Sequence, residues 1–339
     1  MRKNPVPPTL NHRVGGSSPS PPSKVRDSPA VLIRRLSWNK TSKKRWLVTY
    51  THLVDKTFEN LSFGEKIKHK MVHDKRPLLS ALADKAAVKD RVAKLIGYKH
   101  IIPTYDTIAH ESELDFTAFP HEFVFKPTHG SQAGILVHRQ STRFDGQLLP
   151  TEQPWNGYFN IHPDDFVRNE SFVRIMAEKW LNSSYRPDLE FCYKAIPPRI
   201  IIEKYVDLNS TNTINDFRFY VFHGNVKFFR AASGFATDLP TFRYDSEGIF
   251  LPIKEIHDGV DVAQMQIPEL PKEWLIMKEF AEKLSHGVDF IRVDFYLINE
   301  NIYFSELTNY PLAGNIQFIP ESFDRLVASY WKKCDCCVR

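Results

Sequence analysis

The amino-acid sequence predicts an α+β protein, on three observations. Short β-patterned runs recur between residues 123 and 307, amphipathic helical patterns fall before and between them, and no repeat of fixed period marks a solenoid or propeller. The first helical pattern covers Leu82 to Ile96, with Leu82, Val88, Val92, Leu95 and Ile96 as its apolar positions, Asp84 near its start and Gly97 as its stop. Strand patterns follow at 123–126 and 134–138, joined by a loop of small residues. Others lie at 199–203, 217–229 and 290–307, with a helix over 274–285 before the last. Residues 140–195, polar and aromatic with Trp155, Trp180 and Tyr185, read as helices and loops.

At 339 residues and 42% hydrophobic content the chain can bury a substantial core, as one large domain or two smaller ones. The net charge of +5 is unevenly spread. Residues 1–50 carry 11 of the 45 Lys/Arg and only one of the 40 acids, Asp27, which leaves 34 basic against 39 acidic residues in an otherwise mildly acidic body. Residues 1–45 read as a disordered, Pro- and Ser-rich basic tail, because such a composition cannot offset its ordering entropy by burial. The tail is expected to be a solvated extension, with organelle targeting or contact with nucleic acid or anionic membrane as the alternatives. Nucleic acid is not the expected partner of the body. No apolar stretch has membrane-spanning length and no secretory core follows the early basic residues, so a cytoplasmic protein is expected. Four cysteines, Cys192, Cys334, Cys336 and Cys337, provide neither a disulfide framework nor paired metal-ligand spacing. Cys336 stands four from the end, but the final Arg339 does not fit a prenylation signal.

The segment from Ile291 to Leu307 alternates, turns on Asn299-Glu300-Asn301 and resumes, the pattern of a hairpin with a three-residue loop. Pairing Ile298 with Ile302 places Asp294 opposite Glu306 and Arg292 opposite Thr308 on one face, with Ile291, Val293, Phe295 and Leu297 on the other. Two carboxylates so opposed have Cβ atoms about 5 Å apart and repel unless something cationic lies between them. A divalent metal answers this, and all-oxygen ligands indicate Mg²⁺ or Mn²⁺ rather than zinc. The alternatives are that both acids face solvent, or that the register slips by one and separates them.

Upstream, Lys126-Pro127-Thr128-His129-Gly130-Ser131-Gln132-Ala133-Gly134 joins a lysine at a strand end to a loop whose glycines permit close approach of an anion. A simple hairpin turn is the alternative. The loop lacks the Gly-Lys-Ser/Thr of a P-loop.

These segments, in this order, resemble the ATP-grasp ligases. Lys126-Pro127 with Gly130-Ser131 and Gly134 resembles their phosphate loop, and Asp84-Lys85 looks like their earlier phosphate-contacting lysine. Ile201 to Val206 resembles the hinge that holds adenine, Asp216-Phe217-Arg218 their Asp-x-Arg strand, and Arg292-Val293-Asp294 with Glu306 their metal hairpin. More narrowly, Leu82-Ala83-Asp84-Lys85, Phe123 to Lys126, His129-Gly130-Ser131, Pro198 to Ile201, Arg292 to Tyr296 and Phe304 to Thr308 are similar to the TupA-like ATP-grasp family, associated with teichuronopeptide and other surface-polymer synthesis. The resemblance covers about residues 75–325. It departs from the usual pattern at Thr308, where most ATP-grasp enzymes have Asn, and in a hinge without Gly-x-Glu.

The resemblance implies two α+β lobes closing on Mg-ATP, and divides the chain into a tail (1–45), a helical region (46–115), a small lobe (116–206), a large lobe (207–330) and a Cys-rich tail (331–339). It further implies that Lys85 and Lys126 neutralise phosphates under the Gly130, Ser131 and Gly134 loop. Glu203, Lys204, Tyr205 and Val206 meet adenine, and Asp207 is the candidate for the ribose. Asp294 and Glu306 hold the metal, with Thr308 or Asn309 as third ligand, and Arg218, Arg230 and Arg292 stabilise the transferring phosphoryl group. The implied activity is a carboxylate–amine ligase using an acyl phosphate, with small-molecule or glycan substrates. A kinase and a non-catalytic nucleotide-binding protein are the alternatives. Specificity is expected in 140–195 and in loops after Phe229.

Overall fold

The computed structural model describes residues 57–143, 155, 157–186, 189–208, 213–234, 239–262 and 264–333. The tail at 1–45 and Cys334, Cys336 and Cys337 lie outside them. Three helices come first. α1 (Phe63–His73) starts at a capping box, where Ser62 N donates to Glu65 Oε2 at 2.8 Å and Glu65 N to Ser62 Oγ at 3.3 Å. α2 (Pro77–Ala83) opens on a proline and α3 (Ala87–Ile96) stops at Gly97, φ 104°. The single helix expected over 82–96 is therefore two. Asp84 breaks it: its Oδ1 accepts from Ala86 N at 3.0 Å and Ala87 N at 3.2 Å, a cap that starts α3 afresh and leaves Lys85 in the intervening turn.

The small lobe is a five-stranded sheet of β1 (Thr104–Ile108), β2 (Phe123–Pro127), β3 (Ala133–Val137), β4 (Gly157–Ile161) and β5 (Ile200–Lys204), in the order β1-β5-β2-β3-β4. β2 and β3 form the antiparallel hairpin that their patterning predicts. β4 corrects the reading of 140–195 as helices and loops: it pairs parallel with β3. Phe125, Ile135, Ile200 and Ile202 pack on Phe172, Val173, Met176 and Trp180 of α4 (Phe166–Leu181), and a short α5 (Phe191–Lys194) precedes β5. By alternation and pairing, Lys126, Gly134, Tyr158 and Glu203 share the opposite face.

The large lobe comprises β6 (Asp216–Phe222), β7 (Asn225–Ala232), β8 (Thr241–Asp245), β9 (Phe250–Leu251), β10 (Lys254–Glu255), α6 (Glu273–Leu284), β11 (Phe290–Ile298), β12 (Asn301–Thr308), β13 (Phe318–Ile319) and α7 (Glu321–Tyr330). Six strands form one sheet, β12-β11-β6-β7-β8-β9, and β10 pairs with β13. The expected run at 217–229 is two strands about a tight turn at His223-Gly224. One face of the sheet, Phe217, Phe219, Phe229, Ile291, Val293 and Phe295, is fully buried and meets α6 through Phe229–Trp274 and Phe280–Phe295 ring contacts at 5.3 and 6.4 Å. The other face is apolar at one end only, where Tyr220, Phe222 and Phe290 surround Phe63 of α1.

Two expected boundaries shift. Among the described residues, α1 to α3 share the large lobe's core while β1 joins the small sheet, so 57–115 divides between the two. Trp331, placed in the Cys-rich tail, is fully buried against Phe290 and donates its indole N–H to Asp289 at 2.6 Å. Among the described residues no helix is long and apolar enough to cross a membrane.

Gly64 lets α1 approach the 311–316 turn, since a Cβ there would lie 2.6 Å from Gly314 O and 2.9 Å from Ile316 O. In an exposed helix Gly→Ala stabilises by about 1 kcal/mol. Here the obstacle is backbone, and Gly64→Ala is expected to destabilise by about 1–3 kcal/mol, read as a lower urea midpoint. An unchanged or higher midpoint contradicts this packing.

Candidate active site

The β11–β12 hairpin places Asp294 opposite Glu306 and Arg292 opposite Thr308, the expected pairs, but by a different route. Its loop is two residues, Asn299 and Glu300, both left-handed at φ 48° and 63°, and Ile298 pairs with Asn301. A bulge at Ser305 then inserts one residue into β12, between the Phe295–Phe304 and Asp294–Glu306 pairs. The shorter loop and the bulge offset each other.

From this hairpin a charged row crosses the sheet through successive cross-strand pairs, Glu306–Asp294–Arg218–Arg230–Arg243. The cation between the opposed carboxylates is Arg292. Its Nε donates to Asp294 Oδ1 at 2.8 Å, and its Nη2 lies 2.5 Å from Asp294 Oδ2, 2.9 Å from Glu306 Oε1 and 3.0 Å from Thr308 Oγ1. Arg292, two residues from Asp294 on a strand, shares that residue's face and contacts both carboxylates. Arg218 and Arg230 are held instead by buried Asp216, at 2.7 and 3.0 Å, with Arg218 Nε 3.9 Å from Asp294. Burial pushes the Asp294 carboxyl up to about 6 against the pull of Arg292, with Glu306 adding to the rise. For Glu306, burial is outweighed by Arg292 and then Lys85, which hold it below the usual carboxylate range.

Of the two candidate third ligands, Thr308 is at the carboxylates, donating to Glu306 Oε1 at 2.8 Å. Asn309 is not. Alternation turns it to the other side of the strand, where its amide donates to Leu79 O at 2.9 Å in the core.

On the small-lobe side, Lys85 Nζ donates to Gly130 O, and burial brings this ammonium down to about 8 despite the attraction of Glu306. Lys126 pairs with Glu203, whose pull outweighs burial and holds the ammonium above its usual value. The glycines have a reason besides anion approach: a Cβ on Gly130 would meet the Trp155 ring at 2.3 Å, and one on Gly134 the Tyr158 ring at 2.9 Å. Ser131 follows Gly130 half-buried. At the hinge, the Glu203 carboxylate is taken by Lys126 and by Lys89, so only its backbone is available for a base. Lys204 is exposed, Tyr205 stacks on His138 at 4.5 Å and 3°, Val206 is half-buried, and Asp207 accepts from Gln140.

Sequence reading missed Lys89, Asp216 as the holder of two arginines, Trp155 and Tyr158. Asp216 lies two residues before Arg218, a spacing that puts both on one face of the strand, whereas Lys85 falls in the turn before α3 and no helical spacing ties Lys89 to it. Tyr158 had only the five-residue alternation of β4 to mark it.

Among the described residues no group of three or more His, Cys, Asp or Glu could hold a metal. Two carboxylates with an adjoining hydroxyl do fit a hard cation such as Mg²⁺, which takes one or two carboxylates and completes its shell with water and phosphate. They do not fit zinc. Lys126 from the small-lobe sheet and Lys85 from the α2–α3 turn both lie within electrostatic reach of Glu306 on the large-lobe sheet, a grouping of cations and paired carboxylates that suits a nucleotide's phosphates. The family model described as TupA-like ATPgrasp matches residues 65–332, and the chain belongs to that family.

Among solved structures, the chain is similar to D-alanine–D-alanine ligase from Bacillus anthracis complexed with ATP, at 13% identity over 68% of this chain and 55% of that one, TM-score 0.35. It is also similar to D-alanine–D-alanine ligase from Helicobacter pylori, at 14% identity over 75% of this chain and 62% of that one, TM-score 0.38. A third is the ATP-grasp ligase PsnB complexed with a phosphomimetic variant of minimal precursor, Mg and ADP, at 12% identity over 76% and 62%, TM-score 0.35. The matches thus span less than two thirds of these three chains. No curated protein matches the chain.

Because the Asp294 carboxyl is raised in the fold, the stability it contributes is present below the ordinary carboxylate pKa and lost as pH rises through about 6. Without nucleotide, the wild-type melting temperature should fall between pH 4 and 7 relative to Asp294→Asn, a difference on the order of 3 kcal/mol. Parallel melting curves across that range would contradict the assignment.

Proposed function

We propose that the protein is a magnesium-dependent carboxylate–amine ligase that works through an acyl phosphate in the cytoplasm, on a substrate carried by a glycan or other surface polymer. The observation that carries this is charge. Lys85, Lys89, Lys126, Arg218, Arg230, Arg243 and Arg292 stand against Asp216, Glu203, Glu255, Asp258, Asp294 and Glu306, while the flanking pairs Asp84–Arg199 and Glu190–Arg186 cancel. Seven cations against six carboxylates leave a positive surplus, which suits an anionic ligand such as a magnesium triphosphate of net charge about −2.

Lys85 and Lys126 bind phosphate oxygens under the Gly130–Gly134 loop, the backbone of Glu203 to Val206 receives the adenine, and Asp207 the ribose. Asp294 and Glu306, with Thr308 beside them, would hold Mg²⁺ or Mn²⁺, which when bound would offset charge on the phosphates. An oxygen of the substrate carboxylate attacks the γ-phosphorus, the bond to ADP breaks, and the acyl phosphate forms. Arg218 and Arg230, fixed by Asp216, face the charge that develops. The amine then attacks the acyl carbon, phosphate leaves with the carbon–oxygen bonding pair, and the amine's surplus proton is lost. The family's association with teichuronopeptide and other surface polymers supports uronic or amino-acid carboxylates as substrates.

An ATP-consumption screen over amino acids, peptides and uronic-acid glycans, with hydroxylamine as a surrogate amine, tests this. A ligase yields hydroxamate, ADP and phosphate in equal amounts, and Asp294→Asn should lower kcat/KM by about 100-fold or more. A stable phosphorylated product would assign a kinase instead. No thermal stabilisation by Mg-ATP would leave a protein without the nucleotide site.

A further inference from the structure

Lys89 lies in the first turn of α3, four residues beyond Lys85 of the preceding turn, and its side chain crosses to the hinge. It donates to Ile102 O at 2.8 Å and Thr104 Oγ1 at 2.6 Å, and pairs with Glu203 Oε1. Lys126 takes the other oxygen of the same carboxylate. The Glu203 side chain is only 4% exposed, so one buried carboxylate lies between two ammonium groups. The charged groups that reach it are Lys126 from β2, Lys89 from α3 and, further off, Lys85 from the α2–α3 turn.

The two lysines differ in what else they do. Lys89 is anchored to β1 and the segment before it, away from the phosphate loop. Lys126 opens that loop and shares the cleft face with Tyr158 and Gly134. A lysine cannot serve a triphosphate and a buried carboxylate equally, and a buried carboxylate that loses its last cation is strongly unfavourable. Turning Lys126 toward phosphate therefore requires a second, standing counter-charge at Glu203. Resting on the reading of the cleft as a nucleotide site, we propose that Lys89 is a positioning residue that keeps Glu203 neutralised and so frees Lys126 for the triphosphate.

A structural pin between α3 and β1 would have the same contacts, so the test reads charge rather than folding. Binding of Mg-ADP and of Mg-ATP to the full chain is measured by calorimetry at pH 8 for wild type, Lys89→Met, Lys89→Arg, Glu203→Gln and the Lys89→Met/Glu203→Gln pair. At pH 8, Lys89→Met should weaken binding by about tenfold or more, while Lys89→Arg stays close to wild type. In the Glu203→Gln background, Lys89→Met should add nothing further, because the charge it balances is gone. In turnover, the Lys89→Met loss should fall on KM for ATP, with kcat at saturation within about threefold of wild type.

Wild-type-like binding by Lys89→Met at pH 8 overturns the proposal. So does a loss that is additive with Glu203→Gln, which is the signature of a pin. Failure of wild type itself to bind either nucleotide overturns the nucleotide reading, and this inference with it.

Discussion

Two carboxylates on one sheet face, Asp294 and Glu306, cannot stand opposite each other in a partly dry site without a cation, and Arg292 supplies it at 2.5 and 2.9 Å. The remaining charges of the large lobe are ordered outward from that contact. Arg218 approaches Asp294 from the next strand, Asp216 holds Arg218, and Arg230 shares Asp216 from the strand beyond. The row survives because the reverse face of the sheet is fully committed. Ile291, Val293 and Phe295 are buried against α6, so a slip of one residue would bring charge into the core and phenyl rings into the cleft. The hydrophobic core thus fixes the register that the site requires.

The small lobe meets a similar constraint with lysines. Glu203 is buried at the hinge and held by Lys89 and Lys126, which outweigh burial and keep it ionised. Each lobe therefore carries its own buried carboxylates, each already matched by cations from neighbouring elements. Their positive surplus is what a ligand can use. An Asp294 carboxyl raised to about 6 is part of the same balance, because the folded, ligand-free site disfavours its ionisation.

Much of this was legible in the sequence, for identifiable reasons. Short apolar runs marked β2, β3 and β5, alternation marked the β11–β12 hairpin, and the period-two rule put Asp294 and Glu306 together. That inference survived an error in the loop, since the two-residue turn and the Ser305 bulge cancel, and neither leaves a trace in a hydrophobic pattern. The break at Asp84 was less visible, because α2 and α3 continue one apolar periodicity and only a side-chain cap separates them. β4 is five residues long and Trp331 follows the end of α7, so both depend on contacts far away in the chain.

The choice between Thr308 and Asn309 follows from the same alternation. Position 308 shares the face of Glu306, and position 309 turns into the core toward Leu79. Thr308 contributes a neutral oxygen already bonded to Glu306 and Arg292, which is weaker support for a dication than another carboxylate would be. Arg292 matters more for that reason. A metal entering between Asp294 and Glu306 would compete with a guanidinium that contacts both carboxylates, so whatever ion binds must displace or share Arg292's hydrogen bonds. Phosphate oxygens brought by a nucleotide would provide the compensating acceptors for that guanidinium, whereas a free ion brings none. In the proposed site nucleotide and metal would be mutually dependent ligands, coupled through one buried arginine.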